Sequence, residues 1–474
     1  MGFLALLLFA SFIGLIADSG DDDTAATPEE PSGDDLVPGQ LFWDGTEGDD
    51  TFEHDGTGII RGLAGNDTLE VSNYTRAEGG AGEDKITVND TSKGYGGSGD
   101  DQITVYNAGV GHGDAGDDLI NAFNQSKAYG GAGTDTMTGK NFAEITGGSG
   151  DDILTVSNKA KAGGGDGDDL ITTRQTARAW GGEGNDTMNA FGDSSVVGGA
   201  GDDMLTGSGN AYLRGVSGDD TLMLSGNATG YGELDDDTLT ATDTASAYGG
   251  AGNDSLTLTG MAKGYGGAGN DALTASGDAT AEGGVNNDTL TGMDRAVLDG
   301  GSGKDTLILT RSLKVDPATG VIDGVEAGSP EMMNMTATGG TGADTFQLGA
   351  ALFFPDVEFV GGVEPAAGSA AEADYLATAF PTADDIGTIT DFNPAEDTLV
   401  VEIPAASTGY EFDELTTTPV AGATAIDLSI VMKHSTDATQ PDLVRTIRLN
   451  GLTTFDTSTV VMLDAPPAVP APAV

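Results

Sequence analysis

Short bursts of alternating apolar and polar residues dominate the chain from residue 41 to residue 308. In Asp101-Gln102-Ile103-Thr104-Val105, Ile103 and Val105 fall on one face and Gln102 and Thr104 on the other. A period of two marks a strand with one buried side. The burst returns every seventeen residues, its first inward position filled by Phe52, Leu69, Ile86, Ile103, Ile120 and so on to Leu307. The second inward position is smaller: Val71, Val88, Val105, Ala122, Gly139, Val156. A second, weaker burst follows each first one, as in Ala245-Ser246-Ala247-Tyr248, with Ala, Gly, Ser or an occasional Val or Leu inward. Two turns separate the bursts. One is glycine-rich, as in Gly96-Gly97-Ser98-Gly99-Asp100-Asp101, where glycine supplies positive φ. The other is less regular and carries Gly, Asn or Asp, as in Ser208-Gly209-Asn210. Each repeat predicts one coil of two short strands and two turns, larger residues coming from one wall and small ones from the other. Sixteen such coils at the ~4.8 Å spacing of paired strands make a β-solenoid roughly 77 Å long.

Two further columns keep the same beat. Aspartate stands sixteen times without exception, at Asp50, Asp67, Asp84, Asp101, Asp118, Asp135, Asp152, Asp169, Asp186, Asp203, Asp220, Asp237, Asp254, Asp271, Asp288 and Asp305. Glycine stands five residues before each, from Gly45, Gly62 and Gly79 to Gly300. Equivalent residues of stacked coils lie ~5 Å apart, where like charges repel by roughly 0.8 kcal/mol in water and about 3 kcal/mol at an effective dielectric of 20. Acidic neighbours such as Asp49, Glu83, Asp100, Asp117, Asp151, Asp168, Asp202, Asp219 and Asp236 deepen the repulsion. An aspartate can cap its turn by an Asx-type hydrogen bond. Asn or Ser caps equally well, however, and neither occurs at this position. A cation held by the carboxylates and the carbonyl oxygens of the glycine turns would cancel the charge. Hard oxygen donors in a flexible loop suit Ca²⁺ better than Zn²⁺ or Mg²⁺.

Composition sharpens the same point. The 474-residue chain has 76 Gly, 6% aromatic residues and a formal charge of -57. High negative charge with few aromatics ordinarily argues for disorder, and here only the strict period overrules it, given a source of counter-charge. Such a chain repels a polyanion, which excludes nucleic acid as a partner. Cysteine is absent, so there are no disulfides or thiolate metal sites, and a metal is the staple left to an exported fold.

The turn Gly-Gly-x-Gly-x-Asp-x-(apolar), present at Gly80, Gly97, Gly131, Gly148, Gly250 and Gly267, resembles the RTX (repeats-in-toxin), or hemolysin-type, calcium-binding repeat. The resemblance covers Gly45 to Leu307, with one more copy at Gly339-Gly340-Thr341-Gly342-Ala343-Asp344-Thr345-Phe346. It implies an all-β, right-handed parallel β-roll with each Ca²⁺ between adjacent coils, held by aspartate carboxylates and turn carbonyls. Carried onto this chain, it makes metal ligands of the sixteen aspartates and of Asp344, holding about fifteen Ca²⁺ ions, one per gap between coils. The family has calcium turns on both edges of the roll. This chain has one such turn per seventeen residues, so its ions would line one edge only. Asp235 and Asn286 replace the inner glycine and Lys304 stands beside Asp305, which marks the coils at Asp237, Asp288 and Asp305 as the weaker sites.

The flanks differ in character. Residues 1–17, MGFLALLLFASFIGLIA, carry no charged side chain and predict an export or membrane-anchoring segment, about 24 Å long as a helix against ~30 Å of hydrocarbon. Residues 18–40 read as an acidic linker, 41–308 as the roll and 309–346 as an insertion plus the extra turn. Residues 347–464 read as a β-rich cap and 465–474 as a Pro/Ala-rich tail. Within the cap, Asp391-Phe392-Asn393-Pro394 and Asp397-Thr398-Leu399 look like the strand pair that often closes RTX arrays.

Other chemistry is thin. His54, His112 and His434 are scattered, no nucleophile elbow or zinc spacing occurs, and Lys161, Arg174, Arg178, Arg214 and Lys263 are sparse and fall in no shared pattern. No enzymatic activity is expected. Tyr95, Tyr129, Trp180, Tyr231, Tyr248 and Tyr265 all precede the glycine turn and read as a stack or as a sugar-binding ladder. Thr87, Thr104, Thr138, Thr155, Thr172, Thr206, Thr240, Thr257, Thr274 and Thr291 form an outward column. That column resembles the ice-binding faces of some antifreeze proteins and calcium-dependent adhesins, although Thr is also a good exposed strand residue. The expected function is calcium binding by a non-enzymatic, exported roll that folds on Ca²⁺ and serves a structural role at the cell surface or outside the cell. An adhesin or an ice- or glycan-binding module is the alternative, and an acidic-polysaccharide enzyme is third.

Overall fold

The structure is a computed structural model describing residues 41–310, 313–315, 335–349, 357–359, 383–403, 410–434 and 443–464. The predicted export segment, linker and tail, and most of the insertion, lie outside the described residues. The described chain is all-β apart from one 3₁₀ turn at Thr457–Thr459, and none of its helices is long and apolar enough to cross a membrane.

Every coil contributes two strands, as predicted. A front-wall strand follows the aspartate, as in Gln102–Val105 and Leu119–Phe123. A back-wall strand runs into the glycine turn, as in Lys93–Ser98 and Val110–Ala115. Each pairs in parallel with the same strand of the next coil, and the register equals the repeat: Ile103 faces Ile120, and Tyr95 faces His112. The chain is thus a β-solenoid of about sixteen stacked coils, in which each strand finds backbone partners only in its two neighbours.

The core is thin, and its filling is reciprocal between the walls. Where the front wall has glycine at its second inward position, the back wall of that coil has a large residue. Gly139 meets Ile145, Gly207 meets Leu213 and Gly292 meets Leu298. Where the back wall has glycine, the front wall fills the space: Gly94 lies against Val88, Gly230 against Leu224 and Gly264 against Leu258. A Cβ on Gly207 would lie 2.3 Å from Leu213 Cδ1, and one on Gly230 2.8 Å from Leu224 Cδ1. Sequence expectation placed the large residues on one wall, but the volume is shared coil by coil. Native packing density demands such compensation in a cavity only one side chain deep.

The second turn is also more regular than expected. Its apex residue has positive φ in coil after coil, filled, apart from Gln175, by Asn or Asp (Asn73, Asp90, Asn107, Asn124, Asn141, Asn158, Asp243, Asp294) or by Gly (Gly192, Gly209, Gly226, Gly260, Gly277). These are the residues that reach the left-handed region at least cost.

Beyond Thr310 the stack continues across the insertion. Leu307 pairs with Phe346 and Leu298 with Ala337, so the turn at Asp344 opens a further coil. Phe346 then faces Leu399 and Ala337 faces Ile389. The back wall ends by changing direction: Leu443–Asn450 pairs in parallel with Ala383–Ile389, and then antiparallel with Ala425–His434, which pairs antiparallel with Tyr410–Pro419.

Candidate metal centre

The aspartates of the repeat form one continuous buried file. Asp67 to Asp305 and Asp344 are each at most 2% exposed, whereas Asp50, in the first described coil, is half-buried. In each gap the backbone N–H of one aspartate donates to Oδ1 of the aspartate in the next coil. The chain of bonds runs from Asp50 N–Asp67 Oδ1 at 2.7 Å, through Asp152 N–Asp169 Oδ1 at 2.8 Å, to Asp305 N–Asp344 Oδ1 at 3.0 Å. It extends one step further, because Asp344 N donates to Asp397 Oδ1 at 3.1 Å. Asp397 is therefore a member of the file that its sequence context had suggested only as part of the closing strand pair.

Oδ2 is left over. In all fifteen aspartates from Asp67 to Asp305 it is buried and has no hydrogen-bond partner. It lies against the glycine five residues earlier. A Cβ on Gly62 would be 1.9 Å from Asp67 Oδ2 and 2.5 Å from the carbonyl oxygen of Gly79, and one on Gly164 would be 1.8 Å from Asp169 Oδ2. None of the glycines from Gly45 to Gly300 at this position has positive φ. Their column is invariant because the carboxylate occupies the side-chain space, and the positive φ falls on the residue that follows and on the one two places further, as at Gly80 and Gly82. Asp235 and Asn286 do adopt positive φ in place of glycine, and Asp237, Asp288 and Asp305 keep the same burial and the same unpartnered Oδ2 as the rest.

Burial without a partner disfavours the ionised form. It pushes the carboxyls up, to about 7 at Asp118, Asp152 and Asp169 and to about 8 at Asp101 and Asp237, and the neighbouring aspartates add to the rise.

A second ladder runs along the outside of the same turns, in the opposite sense, and separates the two explanations of the column. Asn66 N donates to Asp49 Oδ1 at 2.9 Å, Asn185 N to Asp168 Oδ1 at 2.7 Å, and Lys304 N to Asn287 Oδ1 at 2.8 Å. This exposed column does the capping work and uses Asp and Asn interchangeably. The buried column accepts an N–H in the same way yet uses aspartate alone. Capping accounts for Oδ1 and leaves Oδ2 unexplained. Among the described residues no three His, Cys, Asp or Glu side chains cluster as a metal site, so an ion here would draw on one or two carboxylates and turn carbonyls. Such an all-oxygen donor set fits Ca²⁺.

The remaining candidates stand on the outer faces. Tyr95, His112 and Tyr129 stack with ring centroids 4.7 and 4.8 Å apart, and Tyr231, Tyr248 and Tyr265 at 4.6 and 4.7 Å. His112 is thus a rung of an aromatic ladder, and burial there pushes it down to about 4. Trp180 has Gly163 and Val197 beside it in register. The cations share a pattern after all: Lys161, Arg178 and Lys263 fall in one outward column of the back wall with Arg76, Lys93 and Lys127, while Arg214 lies in the neighbouring column. Lys127 and Lys161 both pair with Glu144, at 3.1 and 2.8 Å. The side chain of His434 lies outside the described residues.

No family model matches the chain, and no match to it was found among curated proteins.

Proposed function

We propose that this chain is a calcium-binding roll of RTX type, exported to the cell surface or the extracellular space, where it has a structural rather than an enzymatic role. The observation that carries the reading is the run of fifteen buried Oδ2 atoms without a hydrogen-bond partner, in a column that excludes Asn. A neutral site needing only a cap would take Asn, whose amide could also donate to the nearby carbonyl. A site needing a full negative charge and two oxygens would not. Asp67 to Asp305, with Asp50, Asp344 and Asp397 at the ends, would hold the ions together with glycine-turn carbonyls such as that of Gly79. Bound Ca²⁺ supplies charge neutralisation and cross-links between adjacent coils. Folding and binding are then one equilibrium, as in other sites whose ligands are brought together only by the fold.

Stoichiometry tests the proposal. Equilibrium dialysis of the full chain against Ca²⁺ should give on the order of fifteen bound ions. Asp169→Asn should lower that number by one or two while Gly163→Ala leaves it unchanged. Equal stoichiometry for wild type and Asp169→Asn, or binding of only a few ions, contradicts the assignment.

A further inference from the structure

We infer that the front wall is a self-association face, which pairs two copies of this chain wall against wall with the rods antiparallel. The inference stands on the solenoid and its surface, independently of which ion fills the aspartate file.

The first observation is where charge is missing. Through the thirteen coils from Gln102 to Ile308, the first two outward columns of the front wall contain no charged residue and the third only Lys140 and Arg174, on a chain whose formal charge is -57. The back wall over the same stretch carries Lys127, Glu144, Lys161, Arg178, Glu282 and Asp299 outward. Like-charged copies repel one another over most of their surface, so only an uncharged face lets them approach closely. Depletion of charge is also the compositional mark of an interface centre.

The second is area. Thirteen coils at ~4.8 Å give a face ~62 Å long, and the strand from the first to the third outward position is ~13 Å wide, so each copy offers about 800 Å². That is the contribution per partner of a standard protein interface. Sheets stack face to face at ~10 Å by interdigitating their side chains.

The third is shape. Leu119, Ile153, Leu170, Met204 and Met223 project from this face and are each 40–47% exposed. All lie in its first two-thirds. The last third presents Thr238, Ser255, Ala272 and Thr289 at the first outward position. A two-fold axis along the strand Met204–Gly209, in the middle coil of the thirteen, preserves columns and reverses coils. It sets Leu119 over Thr289, Ile153 over Ser255 and Leu170 over Thr238 of the second copy, large on small, and only Met204, on the axis, meets itself. An axis along the rod would instead exchange the first and third outward columns within each coil, setting Leu119 over Phe123 and Leu170 over Arg174, large on large. Closed isologous pairing therefore selects the antiparallel arrangement. The same projecting side chains break the flat threonine plane that an ice lattice would require.

The native chain has no cysteine, which makes a single-cysteine scan clean. The full chain is studied in excess CaCl₂ under conditions where circular dichroism shows the strand signal. Light scattering across a concentration series should give a dimer, and Leu170→Lys/Thr206→Lys should give a monomer with unchanged dichroism. Thr206→Cys, beside the axis, should form a disulfide-linked dimer by itself. Asn121→Cys and Thr291→Cys should link poorly alone and well when mixed. A wild type that stays monomeric at every concentration overturns the inference, as does association that survives the two lysines. Equal self-linking at all three positions overturns the antiparallel arrangement, and inhibition of ice growth by a monomer would assign the face to ice instead.

Discussion

Two adjacent glycines should respond to the same substitution with opposite sign. Gly164 belongs to the invariant column, and a Cβ there would lie 1.8 Å from Asp169 Oδ2 and 2.6 Å from the Gly181 carbonyl oxygen. Both distances are far inside van der Waals contact. In Gly164→Ala the carboxylate must swing away, and the 2.8 Å bond from Asp152 N to Asp169 Oδ1 goes with it. A hydrogen bond to a charged acceptor contributes about 1.5–3 kcal/mol, and a buried amide left without a partner costs about 1–3 kcal/mol. These terms count the same lost partner, so a destabilisation of about 3 kcal/mol is expected. Gly163, by contrast, has only Thr146 Cγ2 near its Cβ position, at 3.9 Å, and φ there is not positive. Gly163→Ala should stabilise by about 0.4–1 kcal/mol through the unfolded chain. Urea unfolding at fixed free Ca²⁺ measures both, and hydrogen exchange near residues 152–169 reads the local cost if the stack unfolds in segments. In an Asp169→Gly background, which already lacks that bond, Gly164→Ala should add little further cost. Equal effects of the two alanines, or an unchanged penalty once the carboxylate is gone, would refute the coupling of the two columns.

Two more outcomes follow from the core and the file. Leu213→Ala should cost about 2–5 kcal/mol by leaving a cavity beside Gly207, and the exchange Gly207→Leu/Leu213→Gly should recover part of that by moving the volume to the other wall; additive losses in a double-mutant cycle would disprove reciprocal filling. In chelator, the folded carboxyls hold protons more tightly than the ordinary value of 3.8, at about 6 for Asp135 and about 8 for Asp101. Their contribution to metal-free stability is therefore complete below about pH 4 and lost as pH rises through about 6–8. Strand dichroism in chelator should rise on acidification across that window, and a fall would show that the aspartates are not buried unpaired.

Much of this architecture was legible in the sequence because a solenoid repeats its physics. The seventeen-residue beat gave both walls, the register and the aspartate file, since parallel stacking in register turns a sequence column directly into a spatial one. What the repeat did not give was the reason for a column. Gly45 to Gly300 looked like conformational glycines, yet their negative φ and the adjacent Oδ2 make them steric ones. The pairing of Gly207 with Leu213 was invisible until the two strands of a coil faced each other. The shared column of Lys161, Arg178 and Lys263 is masked in the sequence because the uncharged Ser195, Tyr212, Thr229 and Ser246 hold the rungs between Arg178 and Lys263. Asp397 escaped the beat because 53 residues, rather than seventeen, separate it from Asp344, its neighbour in the file.

The central claim is that the charge of the aspartate file is carried by bound Ca²⁺. The most direct measurement is circular dichroism of the metal-free full chain at pH 7.5 as Ca²⁺ is raised, with Mg²⁺ in parallel. An expanded chain with little strand signal is expected in chelator, with a cooperative gain of β-structure in the ~0.1–1 mM range of extracellular calcium modules. Mg²⁺, smaller and reluctant to shed water, should be far less effective. A strand signal already complete in chelator at that pH, unchanged by either ion, would contradict it.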